Sequence, residues 1–197
     1  VMTQPYQWLM MCVDKPATTR QRLGYDKRRR FLVTARLCRG RVIELGCGPG
    51  HLTQFVHRRG LEVIGLDKSA YKIDLARRAY PGIEFVRSDI LALSLPPESF
   101  DTAVLAEILE HVPDEIGDQI LDVAWRLLKP LGRLVVSVPN EDSIPHSNHI
   151  RQFSRRSLAE LLRRYGRPRL VTEQPYKWLL MRVEKRRESA WSGVQGG

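Results

Sequence analysis

The chain of 197 residues has room for one domain with a full hydrophobic core, and 43% hydrophobic against 27% charged residues is a globular balance. Lys and Arg number 32 against 22 Asp and Glu, a formal charge of +10; this favours anionic partners, RNA among them, although a solvated Arg-rich surface is the plainer account. No run approaches the ~20 apolar residues of a transmembrane segment, and three cysteines without metal-ligand spacing (Cys12, Cys38, Cys47) fit a reducing compartment, so a cytoplasmic protein is expected.

Short apolar runs alternate with amphipathic stretches through the middle of the chain, which predicts an α/β fold with a sheet and crossover helices. Strands are expected at 41–45, 61–66, 83–87, 100–105 and 131–138. Helices are expected at 51–59, 69–78, 114–128 and 155–165. In the third, Ile120, Leu121, Ala124, Leu127 and Leu128 recur at helical spacing, and Ser154 can cap the fourth. Two further strands, 169–172 and 176–183, lie too close together for a crossover helix and should pair as an antiparallel hairpin. The sheet is therefore expected to be mainly parallel, with one antiparallel strand near its edge.

Residues 1–15 repeat residues 171–185. Val1, Gln4, Pro5, Tyr6, Trp8, Leu9, Met11, Val13 and Lys15 match Val171, Gln174, Pro175, Tyr176, Trp178, Leu179, Met181, Val183 and Lys185 in register. A rearranged or tandem origin explains this better than chance. The expected division is an extra copy of the C-terminal strand at 1–15, a folded domain at 16–187 and a flexible tail at 188–197. Two copies cannot fill one place in one sheet, so the spare one could support a homodimer.

The strongest motif runs from Val42 to Thr53, VIELGCGPGHLT. A strand enters a turn with glycine at every second position, Gly46, Gly48 and Gly50, and a helix follows. Glycines permit the tight turn and a close ligand approach, and such turns lie where open parallel sheets bind ligands. A dinucleotide fingerprint would need a glycine at position 51, where His stands. Glu44, two residues before the first glycine, suits a ligand carrying an ammonium. Asp67, after the second strand, can accept from both ribose hydroxyls. Asp89 could accept from an adenine amino group while the Ile90 N–H meets a ring nitrogen.

With these stations in order, ELGCGPG (44–50), GLDKS (65–69), RSDI (87–90) and FDTAVLAEILEHV (100–112), the chain resembles the class I S-adenosylmethionine-dependent methyltransferases. The generic small-molecule and ubiquinone-biosynthesis type is the nearest in pattern. LLKPLGRLVVSVPN (127–140) is similar to the family's LKPGG turn and fifth strand, with Leu131 in place of the first glycine. The resemblance covers about residues 40–184. It implies a Rossmann-like three-layer sandwich with a seven-stranded sheet, S-adenosylmethionine as cofactor and S-adenosylhomocysteine as product. It also implies cofactor contacts from Glu44, Gly46, Cys47, Gly48, Gly50, Asp67, Lys68, Asp89, Ile90 and Ala106.

Methyl transfer from a sulfonium needs alignment and, for some acceptors, removal of a proton. Glu107, Glu110 and His111 follow the fourth strand, and on a helical turn they would share a face. His111 is the best general base by its ordinary pKa, with Glu107 and His149 as the other candidate catalytic residues and no metal expected. An alternative carries a metal: Glu-x-x-Glu-His with His149 or His146 resembles the ligand set of small-RNA 2′-O-methyltransferases, which would suit the basic charge. EILEHVPD and the stretch 148–154 also look like those of small-molecule methyltransferases that use no such set, so a small-molecule acceptor is the expected partner. Tyr25 or an Arg of 27–30 could meet the methionine carboxylate. Trp8 and Trp178 alternate like strand core residues.

Overall fold

The computed structural model describes residues 19–140, 149–174 and 178–186, with side chains described for 27–140, 149–172 and 178–186. The repeated segment 1–15, the tail 188–197, His146, Trp191 and the Tyr25 side chain lie outside these residues. Among the described residues, no helix is long and apolar enough to cross a membrane.

Apolar runs without alternation become the central strands. Val42–Leu45 (β1) and Val63–Asp67 (β2) are buried at every position, as parallel strands covered on both faces must be. Glu84–Arg87 (β3), Phe100–Ala106 (β4), Leu128–Pro139 (β5), Arg169–Gln174 (β6) and Trp178–Glu184 (β7) complete the sheet. Its order is β3-β2-β1-β4-β5-β7-β6. The first five strands run parallel, and β7 lies antiparallel to both β5 and β6. The expected seven-stranded α/β sheet with one reversed strand next to an edge is what forms.

Among the described residues, five α-helices cover it: Thr19–Leu37 (α1), His51–His57 (α2), Ala70–Ala79 (α3), Asp114–Leu127 (α4) and Arg155–Leu162 (α5). Alternate strand residues face opposite layers. Ile43, Leu45, Ala103, Leu105, Leu134 and Val136 pack on Ile120, Leu121 and Ala124 of α4 and Leu158 and Leu162 of α5. Their neighbours Val42, Val104 and Val135 pack on Leu52, Phe55 and Val56 of α2 and Ala35 of α1. Phe85 of β3 closes on Ile73 and Ala76 of α3. Trp178 is buried in the α1–α2 layer, as its alternation predicts.

Most boundaries differ from expectation by a residue or two, and two depart further. β5 begins at Leu128 rather than 131, because Phe100 pairs with Leu128 before a register shift brings Thr102 to Arg133. The last helix ends at Leu162 and tightens into a 3₁₀ turn, Arg163–Tyr165, before Gly166 at φ 145°. Ser154 caps this helix as predicted, accepting from the Ser157 N–H at 3.1 Å.

Candidate active site

The glycine turn sits at the carboxyl ends of β1 and β2. Gly46 and Cys47 donate their N–H groups to the Leu66 carbonyl at 2.6 and 2.7 Å. Gly46, Gly48 and Gly50 have φ of 81°, 56° and 79°, a region open to glycine at little cost. Asp67, 7% exposed, staples the turn: Oδ2 accepts from Gly48 N and Oδ1 from Ser69 N, each at 2.9 Å. One acceptor site on each oxygen is thereby used and another remains.

Beside this turn lies a cavity of about 600 Å³, within the range of small-molecule sites. Gly46, Asp67, Lys68, Asp89 and Ile90 form its polar side, and His111 closes it. A Cβ on Gly46 would collide with Ile108 Cδ1, so the bare backbone at that position gives the cavity its floor. Asp89 Oδ1 accepts from Leu91 N at 2.9 Å, which orders the loop after β3. The opposite wall is apolar: Ile108, Val112, Ile116 and Ile120. Sequence reasoning missed this wall. Its spacing of four reads as a helical core stripe, and only the position of the β4–α4 loop turns it toward the cavity.

Several expected cofactor residues do not line the cavity. Glu44 is 3% exposed and accepts from Thr53 Oγ1 at 2.6 Å. Burial raises its pKa to about 7 despite that bond and the charge of Arg30, and Asp67 adds to the rise. Cys47 turns its thiol into the core formed by Ile73, Ala76, Tyr80 and Phe85, where burial raises its pKa. A Cβ on Gly50 would lie 2.6 Å from Phe85, so this glycine serves helix packing. Ala106 packs beside the α1–α2 layer. Gly48 reaches the site through its bond to Asp67.

The acceptor-side residues are divided by the backbone. Glu107, expected on a helical turn, instead directly follows β4 at φ 58°. Its carboxylate pairs with Arg30 of α1 and accepts from Ser137 Oγ at 3.1 Å. The turn that does form is Leu109–His111. It buries Glu110 to 1% exposure and leaves neither carboxylate oxygen with a hydrogen-bond partner. Burial and then repulsion from Glu107 raise the Glu110 pKa to about 8.

His111 Nε2 stands 3.7 Å from Glu110 Oε1, and the His111 and His149 rings meet edge to face with centroids 5.0 Å apart. Glu110, His111 and His149 each offer a ligand atom, all within 4.8 Å of one another. Of the four residues in the metal alternative, the structure brings three together and ties Glu107 to Arg30.

A family profile described as "Methyltransferase domain" matches residues 42–132. The chain is 32% identical over 154 residues to a probable S-adenosylmethionine-dependent methyltransferase of Mycolicibacterium smegmatis, covering 73% of this chain and 59% of that protein. It is 33% identical over 109 residues to a ubiquinone biosynthesis O-methyltransferase of Paracidovorax citrulli, covering 52% and 45%. The chain thus spans about half the length of these curated relatives.

Among solved structures, a SAM-dependent methyltransferase from Archaeoglobus fulgidus matches with a TM-score of 0.68 at 17% identity, over 81% of this chain and 92% of that one. A 1,6-didemethyltoxoflavin-N1-methyltransferase of Burkholderia thailandensis, with bound S-adenosylhomocysteine, matches at 0.64 and 24%, over 88% and 93%. These two likenesses establish the fold. The glycine turn, the strand-end acids and the matched profile and relatives make the chain similar to the class I S-adenosylmethionine-dependent methyltransferases.

Proposed function

We propose that the protein transfers the methyl group of S-adenosylmethionine to a small-molecule acceptor. The observation that carries this reading is the cavity itself, floored by Gly46 and walled by Asp67, Asp89 and Ile90. Those groups suit an adenosine: the spare acceptor sites of Asp67 fit a ribose diol, and Asp89 with Ile90 fits an adenine edge beside an apolar wall. S-adenosylmethionine, when bound, supplies an electrophilic methyl group on a sulfonium. Lys68 flanks the ribose side, and the carboxylate of Glu44, behind the turn, favours a cationic ligand end. His111, on the cavity wall, is the group placed to take a proton from the acceptor. Glu107, held by Arg30 and Ser137, is a positioning residue for the loop that carries His111, and His149 braces the His111 ring.

A small-molecule acceptor is supported by relatives named for such chemistry, the ubiquinone biosynthesis O-methyltransferases among them. Residues 16–187 are proposed as the catalytic domain. β6 is one of the two edge strands of the sheet, and the repeated strand of another copy is proposed to pair with it; a monomer by light scattering would refute that pairing.

Calorimetric titration with S-adenosylhomocysteine tests the assignment, with NAD as control. Micromolar binding that Asp67→Asn abolishes is expected. No binding to the folded wild type, or a preference for NAD, would overturn it.

A further inference from the structure

We propose that the outer face of α1 and α2 is a docking surface for nucleic acid, held through its phosphates and not its bases. The starting point is the way the chain distributes its charge. Residues 19–37 and 51–59, which form α1, α2 and the turn after it, carry nine Lys and Arg and one acid, Asp26. That is +8 of the chain's net +10. The helices on the other side of the sheet are balanced: residues 114–127 and 155–165 carry five Arg against five Asp and Glu. There Arg163 pairs with Glu160, and Arg164 with Asp118 and Asp122. A surface that needed only solvation would intersperse both signs on both sides.

Part of the excess serves the fold. Arg30 turns inward to Glu107. Arg59 donates to the Ala35 and Cys38 carbonyls, which ties the end of α2 to the end of α1 and leaves its charge without a carboxylate among the described residues. Phe31 and Phe55 join the same two helices, with ring centroids 5.7 Å apart, so the pair forms one firm platform. Arg29 and Arg36 are exposed and in no ion pair with a described residue. Seven residues apart, they lie on one face of α1 with about 10 Å between them, and Arg36 stands next to the Ala35 carbonyl that holds Arg59. Like charges gathered in this way repel one another, and a polyanion removes that cost.

The side chains between the cations decide which anionic partner fits. Among the described residues of this face, Leu32, 39% exposed, is the large apolar side chain that reaches solvent. A helix lying in a bilayer surface needs a broad apolar stripe to bury, and a protein partner needs apolar or aromatic anchors. A row of phosphates needs only the cations, and such binding follows salt rather than sequence. No described residue of α1 or α2 lines the cavity, so the docking surface stands apart from the methyl-transfer reading and does not rest on it.

The test is fluorescence anisotropy of the full chain with a labelled DNA duplex and a labelled single-stranded RNA, both of mixed sequence. With phosphates met by Arg29, Arg36, Arg58 and Arg59, affinity should fall roughly 50- to 150-fold between about 50 and 200 mM salt. Arg29→Ala combined with Arg36→Ala removes two of those contacts, so the logarithmic salt slope should drop by ~1.4–1.8 and binding at the lower salt should weaken about tenfold or more. Arg155→Ala combined with Arg156→Ala makes the same change of charge on α5 and should leave the slope as in wild type. No binding at the lower salt, or equal losses in the two double variants, overturns the surface. Tighter binding to phosphatidylglycerol vesicles or to polyglutamate than to either nucleic acid overturns the partner.

Discussion

Replacing Glu44 by Gln measures how much charge the glycine turn stores. Glu44 is 3% exposed, accepts from Thr53, and burial is the largest cause of a pKa of about 7 against an ordinary 4.5. An acid whose pKa rises on folding costs nothing below its unfolded pKa. The cost grows as pH climbs from 4.5 to about 7, and is constant above. With ~1.4 kcal/mol per pKa unit, the penalty is about 1 kcal/mol at pH 5 and about 3 kcal/mol at pH 8. Gln keeps an acceptor for the Thr53 hydroxyl and cannot ionise, so its own burial cost does not change with pH. Urea denaturation of both proteins, free of ligand, should therefore show the variant gaining about 2 kcal/mol on wild type between pH 5 and pH 8. Parallel pH profiles would refute the claim that this carboxylate is buried without full compensation. The same charge serves the proposed ligand, so the variant should bind S-adenosylhomocysteine more weakly at pH 8, with little difference at pH 5.

Three further substitutions probe the same architecture. Asp67→Asn puts an amide nitrogen where one of two backbone N–H groups now finds an acceptor. A loss of about 2–3 kcal/mol in chemical denaturation is expected, together with loss of cofactor binding. Gly46→Ala must place a side chain at φ 81° and against Ile108; a cost of about 1–3 kcal/mol and abolished S-adenosylhomocysteine binding should follow. Leu131, half exposed at φ 65°, occupies a left-handed position that costs a non-glycine residue ~1–2 kcal/mol. Leu131→Gly gives back ~0.5–1 kcal/mol of that in chain entropy. A net rise of about 0.5 kcal/mol, or ~1–2 °C in melting temperature, is the expected calorimetric result.

The parts of the fold that could be read from the chain are those where one strong physical pattern acts alone. VIEL and VIGLD must be covered on both sides, and the short 169–183 stretch admits only a hairpin, so the parallel centre and the reversed strand follow. The strand-end acids Asp67 and Asp89 were legible for the same reason, since sheet topology fixes where a strand end points. The start of β5 was not legible. It depends on Leu128 pairing with Phe100 across a bulge, and no local signal announces that contact. Cys47 and Gly50 were legible as members of a turn but not by side: the core around Phe85 takes both.

The EILEH segment shows why a correct motif can still hide its geometry. Spacing of three and four puts Glu107, Glu110 and His111 on one face only if the backbone is helical throughout. The chain departs from the helix at Glu107, at φ 58°, and three neighbours then claim the side chains separately. Arg30 and Ser137 hold Glu107, the cavity receives His111, and the interior receives Glu110. The burial of Glu110 is set forty residues away, where Ile150 and Arg151 clamp its carbonyl and bring His149 alongside. A sequence window around 107–111 contains none of those partners. The carboxylate left without hydrogen bonds is thus a product of tertiary structure, and its chemistry has to be read from the residues that surround it.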